Sequence, residues 1–136
     1  KYDIVFASEV IEHVANVPTF VYNLKQVLKP DGHGHLFITT INRTIKSYLL
    51  AIVAAERLLG IVPNNTHHWN DFLTPEEVIK MLKQKNFEGN TNSVDVDILN
   101  TSGLIYNPVN NRWTLHPNDL DVNYFIHARS KPRSET

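Results

Sequence analysis

The sequence predicts an α/β fold, half of an open, doubly wound sheet. Three observations carry this. A short, nearly continuous apolar run, "YDIVFA", stands where a strand buried on both faces would stand. A helix and a second such strand follow it. The chain then returns to strands only after further helical segments.

Tyr2 to Ala7 is the first strand, and Ser8 to Ala15 its connection, with room for one helical turn. Pro18 can open a helix, since its fixed φ suits a first turn. Phe20, Val21, Leu24, Val27 and Leu28 recur at helical spacing, and Pro30 with Gly32 ends the segment. His35 to Ile41, "HLFITTI", is rich in β-branched residues and reads as a second buried strand. Strand, helix, strand implies a parallel pair with a right-handed crossover.

Thr44 to Gly60 is a helix with only a narrow polar stripe of Lys46, Glu56 and Arg57, closed by Gly60 and Pro63. The segment 44–63 reads as a core helix, or as a lid meeting lipid or a greasy substrate. Thr74, Pro75 and Glu77 form a capping-box start for a helix that buries Val78, Ile79, Met81 and Leu82. Ser93 to Leu99 alternates as a half-exposed strand, Asn107 to Asn111 is the turn of a hairpin-like loop, and Val122 to Ala128 is the last strand. A four-stranded sheet of this kind leaves one edge strand unpaired. The sequence opens inside a strand at Lys1, which reads as the second half of a larger domain.

The chain has 136 residues, 42% of them hydrophobic, and a net charge of −1. No basic field favours nucleic acid as a partner. The absence of cysteine excludes a disulfide scaffold and thiolate metal sites.

Ligands of open α/β sheets bind beyond the carboxyl ends of the strands. Ser8, Glu9, Glu12 and His13 lie at such an end. Positions i, i+3 and i+4 share one helical face. Two carboxylates and an imidazole there suit a hard or borderline divalent cation, or acid–base chemistry. Acidic groups at a helix start are also favourable without any ligand, and spacing alone does not decide. His67 and His68, in a polar and aromatic loop, can face a substrate. His33 and His35 read as surface histidines, and His116 and His127 as structural.

The stretch "YDIVFASEVIEHV…LKPDGHGHLFITTINRTIKSYLLAIVAAERLLGIVP…TH…F", with "GLIYNPVNNRW" and "DVNYFIHAR", resembles the S-adenosylmethionine-dependent O-methyltransferases of ubiquinone biosynthesis. The resemblance spans nearly the whole chain. It implies the C-terminal half of a class I (Rossmann-like) methyltransferase sheet, strands four to seven, with the last strand antiparallel. It implies O-methylation of a ring hydroxyl on polyprenylated dihydroxybenzoate and on demethylubiquinol. Glu9, Glu12 and His13 become metal ligands for Mg2+ or a similar divalent cation, and Ser8 contacts the methyl donor. From the residues themselves rather than the resemblance, His67 or His68 would act as catalytic base. The family's Gly-rich loop and its ribose-binding acidic residue are missing from this sequence, so the chain by itself is expected to be inactive. The partners implied are a polyprenylated phenolic substrate, a membrane surface and a ubiquinone-biosynthesis protein complex. The implied location is the matrix side of the mitochondrial inner membrane, or bacterial cytoplasm for a prokaryotic source. A non-catalytic methyltransferase-like scaffold, or a methyltransferase for another small molecule, are the alternatives.

Overall fold

A computed structural model of the chain describes residues 1–50, 69–89, 93–107 and 109–132. Five strands make one sheet: β1 (Ile4–Ser8), β2 (His35–Ile41), β3 (Val96–Asn107), β4 (Arg112–His116) and β5 (Asn123–Ser130). Their order across the sheet is β1-β2-β5-β3-β4. β1 and β2 are parallel, and β5 is inserted antiparallel between β2 and β3. The antiparallel last strand is therefore realised, and β3 runs parallel to β1 and β2 across it. Carboxyl ends of β1, β2 and β3 all lie at one end of the sheet.

The crossover helix α1 (Val17–Val27) carries Pro18 in its first turn and is capped by Asn16, whose side chain accepts from the Thr19 amide at 3.1 Å. Helix α3 (Pro75–Lys83) starts at Thr74 with a capping box formed with Glu77, as the sequence predicts. α1 and α3 cover one face of the sheet. That face holds Leu36, Ile38, Tyr124, Ile126 and Ala128, all fully buried, packed with Val21, Val78 and Leu82 of the helices. Lys25 is buried too, because its ammonium caps the end of α3 by donating to Gln84 O at 2.8 Å. Burial holds its pKa below the usual lysine value, and Asp95 partly opposes this.

Three elements differ from expectation. The sheet has a fifth strand, β4, because Asn107 to Asn111 closes a true hairpin. Asn107 Oδ1 accepts from the Val109 amide and Asn111 takes a left-handed φ of 53°, both turn-forming habits of asparagine. Strand β3 is longer than Ser93 to Leu99 and starts later. A register shift between Ile98 and Asn100, followed by Thr101, Ser102 and Gly103, hides its alternation. Gly103 is required there: a Cβ would stand 1.6 Å from Asp119 O. Of the predicted helix at Thr44 to Gly60, only the start is described. Thr44 caps α2 (Ile45–Ser47) in a capping box with Ser47, and residues 51–68 lie outside the described residues. Among the described residues no helix is long and apolar enough to cross a membrane.

Candidate active site at the strand carboxyl ends

The β1 strand ends at Ser8, whose hydroxyl lies 2.9 Å from Thr39 Oγ1 of β2. Glu9 follows with a left-handed φ of 50°, an uncommon conformation for a residue with a side chain. Its amide still donates to Thr39 O at 2.9 Å. The chain therefore turns sharply off the sheet while remaining tied to its neighbouring strand. Such strained positions gather at functional sites when the surroundings enforce them.

A single 3₁₀ turn, Ile11–His13, comes next. The turn is too short to set Glu9, Glu12 and His13 on one helical face. Glu12 points inward and is 5% exposed, whereas His13 and Glu9 are exposed. Thr40 Oγ1 donates to Glu12 Oε2 at 2.8 Å, inside the sheet's covered side. Glu12 Oε1 is buried without a hydrogen-bond partner among the described residues. A buried carboxylate with one unpaired oxygen costs stability unless something else serves it. Glu9 Oε2 accepts from Asn123 Nδ2 at 3.4 Å, which ties the turn to the start of β5.

The loop after β2 builds the next wall. Asn42 Nδ2 donates to Leu120 O at 2.8 Å. Arg43 pairs with Glu77 of the α3 capping box; burial pushes the Glu77 carboxyl up, but the backbone bond at Thr74 and then the Arg43 pairing outweigh it and hold the carboxyl below its usual range. Lys46 reaches Asp121 at 3.2 Å and Asp119 at 3.5 Å. Trp69 Nε1 donates to Thr44 O at 3.1 Å. Tyr124 is fully buried below the site, and its hydroxyl donates to Leu73 O at 2.9 Å. Burial and then the nearby Glu12 charge push its phenol far above the ordinary value.

The structure thus brings Ser8, Glu9 and Glu12 to one strand end. His67 and His68 lie outside the described residues. The types of Glu9, Glu12 and His13 fit a hard or borderline cation, and the unpaired Glu12 oxygen could serve one. Yet among the described residues no three His, Asp or Glu side chains are grouped as a metal site. Thr40, Asn42 and Asn123 escape sequence reasoning, because a polar residue in an apolar strand or at its end shows no period. The one available signal was "TT" inside "HLFITTI", two hydroxyls in an otherwise buried strand. His35 is more than a surface histidine, since its Nδ1 lies 2.9 Å from His127 Nε2.

Residues 1–91 match the family described as "Methyltransferase domain". The chain is 46% identical over 129 residues to a ubiquinone biosynthesis O-methyltransferase of Rickettsia bellii, covering 95% of this chain and 49% of that protein. To the enzyme of the same name from Rickettsia felis it is 46% identical over 125 residues, covering 92% of this chain and 46% of the relative. For Rickettsia prowazekii the values are 44% over 133 residues, 98% and 48%. The chain spans about half the length of the curated relatives it matches.

Proposed function

Since the chain belongs to the methyltransferase-domain family, we propose that it forms part of an S-adenosylmethionine-dependent O-methyltransferase acting on a ring hydroxyl of a ubiquinone precursor. One observation carries this reading: a carboxylate-bearing turn, Ser8 to His13, closes the carboxyl end of a parallel strand pair in a chain of this family. The similarity to the rickettsial enzymes supports the acceptor class. Polyprenylated dihydroxybenzoate and demethylubiquinol are the acceptors the reading names.

In this reading the methyl donor needs little activation, so the chain's residues mainly position groups. Ser8, held against Thr39, presents its hydroxyl toward the donor. Glu9 and Asn123 form the rim against which the acceptor oxygen is set. Glu12, fixed by Thr40, contributes negative charge beneath that rim. His67 or His68 takes the hydroxyl proton. Magnesium or a similar divalent cation belongs to the proposal with Glu9, Glu12 and His13 as the residues that would hold it; the buried Glu12 Oε1 supports this, and the separate directions of the three side chains do not. When bound, such an ion supplies Lewis-acid polarisation of the acceptor hydroxyl. The segment 44–63 is proposed as the lid or membrane-facing helix of a peripheral enzyme that works within a ubiquinone-biosynthesis complex. The relatives compared are rickettsial, which supports a bacterial cytoplasm as the compartment. The matrix side of the mitochondrial inner membrane rests on the resemblance alone.

The test uses the full-length protein with methyl-labelled S-adenosylmethionine and paired catechol and monophenol acceptors, with and without magnesium. Transfer to a catechol acceptor is expected. Donor binding without transfer to any phenol sinks the reading in favour of a scaffold. If Glu9→Ala and Glu12→Ala leave metal dependence unchanged, the ligand assignment fails while the transferase reading stands.

A further inference from the structure

The β3–β4 hairpin rises past the site. Leu104 is the cross-strand partner of Asn123, which contacts Glu9. Leu104 also faces Leu115, and two residues further out Tyr106 faces Trp113. Cross-strand partners share a face of the sheet, and so do residues two apart along a strand. Leu104, Leu115, Tyr106 and Trp113 therefore form one strip, on the same face as Ser8. The strip begins beside Glu9 and runs beyond the last residues of β1 and β2.

This strip is apolar and open. Leu115 is 59%, Trp113 57% and Tyr106 44% exposed. The Tyr106 and Trp113 rings meet with centroids 5.1 Å apart at 43°. Tyr106 is held there by donating its hydroxyl to Asn111 Oδ1 at 2.7 Å. The rings are thus fixed by the hairpin itself. The one charge on β4, Arg112, is paired with Asn107 in the register and so points to the opposite face. A rigid aromatic pair with leucines, exposed to water and continuous with a polar site, is what a ligand with a polar head and an apolar chain requires.

We propose that the strip Leu104–Leu115–Tyr106–Trp113 receives the apolar chain of the acceptor, while its phenolic head lies at Glu9 and Asn123. The proposal rests on the transferase reading and adds the track along which the substrate lies. Its occupant is a phenol bearing an extended hydrocarbon chain. Continuity with Asn123 argues for this over a second copy of the protein, since a strip that starts at the site lets a single ligand reach both.

The test measures KM in the full-length enzyme for a farnesyl-substituted catechol and for unsubstituted catechol. In Trp113→Gln and Leu115→Asn variants the ratio of the two KM values should rise about tenfold, as loss of apolar contact requires. Both positions are exposed in this chain, and a melting curve of each full-length variant checks that folding survives. Equilibrium binding of farnesyl catechol, read by tryptophan fluorescence in Leu115→Asn, should weaken in step. An unchanged ratio with unchanged binding overturns the proposal. So does a dimer of the unmodified enzyme that Trp113→Gln dissociates while farnesyl catechol binding persists. A protein that methylates neither acceptor defeats the functional reading, and the binding arm still decides the track.

Discussion

The two faces of this sheet have similar alternation and opposite fates. On one, Leu36, Ile38, Tyr124 and Ile126 are sealed beneath α1 and α3. On the other, Ile4 is 64% and Phe6 63% exposed, and Trp113 and Leu115 are open as well. Between those open residues runs a ladder of rings: Phe6 on Phe37, Phe37 on Phe125 and His127, and His35 beside His127. A parallel strand pair is ordinarily covered on both faces. The difference teaches that hydrophobicity of a strand residue fixes its demand for cover, whereas what covers it is settled elsewhere in the molecule.

The comparison can be broken most directly at the covered face. Ile38→Ala removes side-chain atoms from a fully packed site and should destabilise the fold by about 2–5 kcal/mol in denaturant titration. The same truncation on the open face, Ile4→Ala, should cost well under that, because water already reaches the side chain. Equal losses would show that both faces are packed in solution.

Thr40→Val addresses the bridge between the covered face and the site. It removes the donor to Glu12 and leaves both carboxylate oxygens without a partner among the described groups. A loss of about 1–3 kcal/mol is expected from denaturation. Thr74→Ala, which strips the α3 cap on the covered side, should cost about 1 kcal/mol.

The smallest effect belongs to the open face and depends on pH. Burial, then the neighbouring His35 and Arg129 charges, lower the His127 pKa below its ordinary 6.5. The folded state therefore binds fewer protons at His127 than the unfolded chain does. Its contribution to stability is full above the ordinary value and is lost as pH falls through the lowered one. The melting temperature should decline as pH drops from neutral toward 5, and His127→Gln should flatten part of that decline. A profile unchanged by the substitution would remove His127 from the account.

Much of the fold was legible because its signals are local. The strand His35–Ile41 and the capped helix after Thr74 stand as read, since β-branched runs and capping boxes act within a few residues. The antiparallel last strand came from the resemblance and agrees with the β2–β5 register. The site was only half legible. Glu9, Glu12 and His13 draw attention by residue type, but their directions depend on a left-handed φ at Glu9 and on a 3₁₀ turn, which spacing does not encode. Lys25 carries no signal of burial in the sequence, yet it is buried because the end of α3 offers it a carbonyl.

By itself, the sequence determined β1, β2 and β5, the helices α1 and α3 with the Thr74 cap, and which residues could carry the chemistry. Those properties follow from neighbours a few positions apart. Tertiary structure alone decided that β5 lies between β2 and β3, that Glu12 turns in toward Thr40 while His13 stays out, and that β3–β4 carries its aromatic strip past Glu9. Such pairings join residues far apart in the chain, where direction and burial arise only once the sheet closes its register.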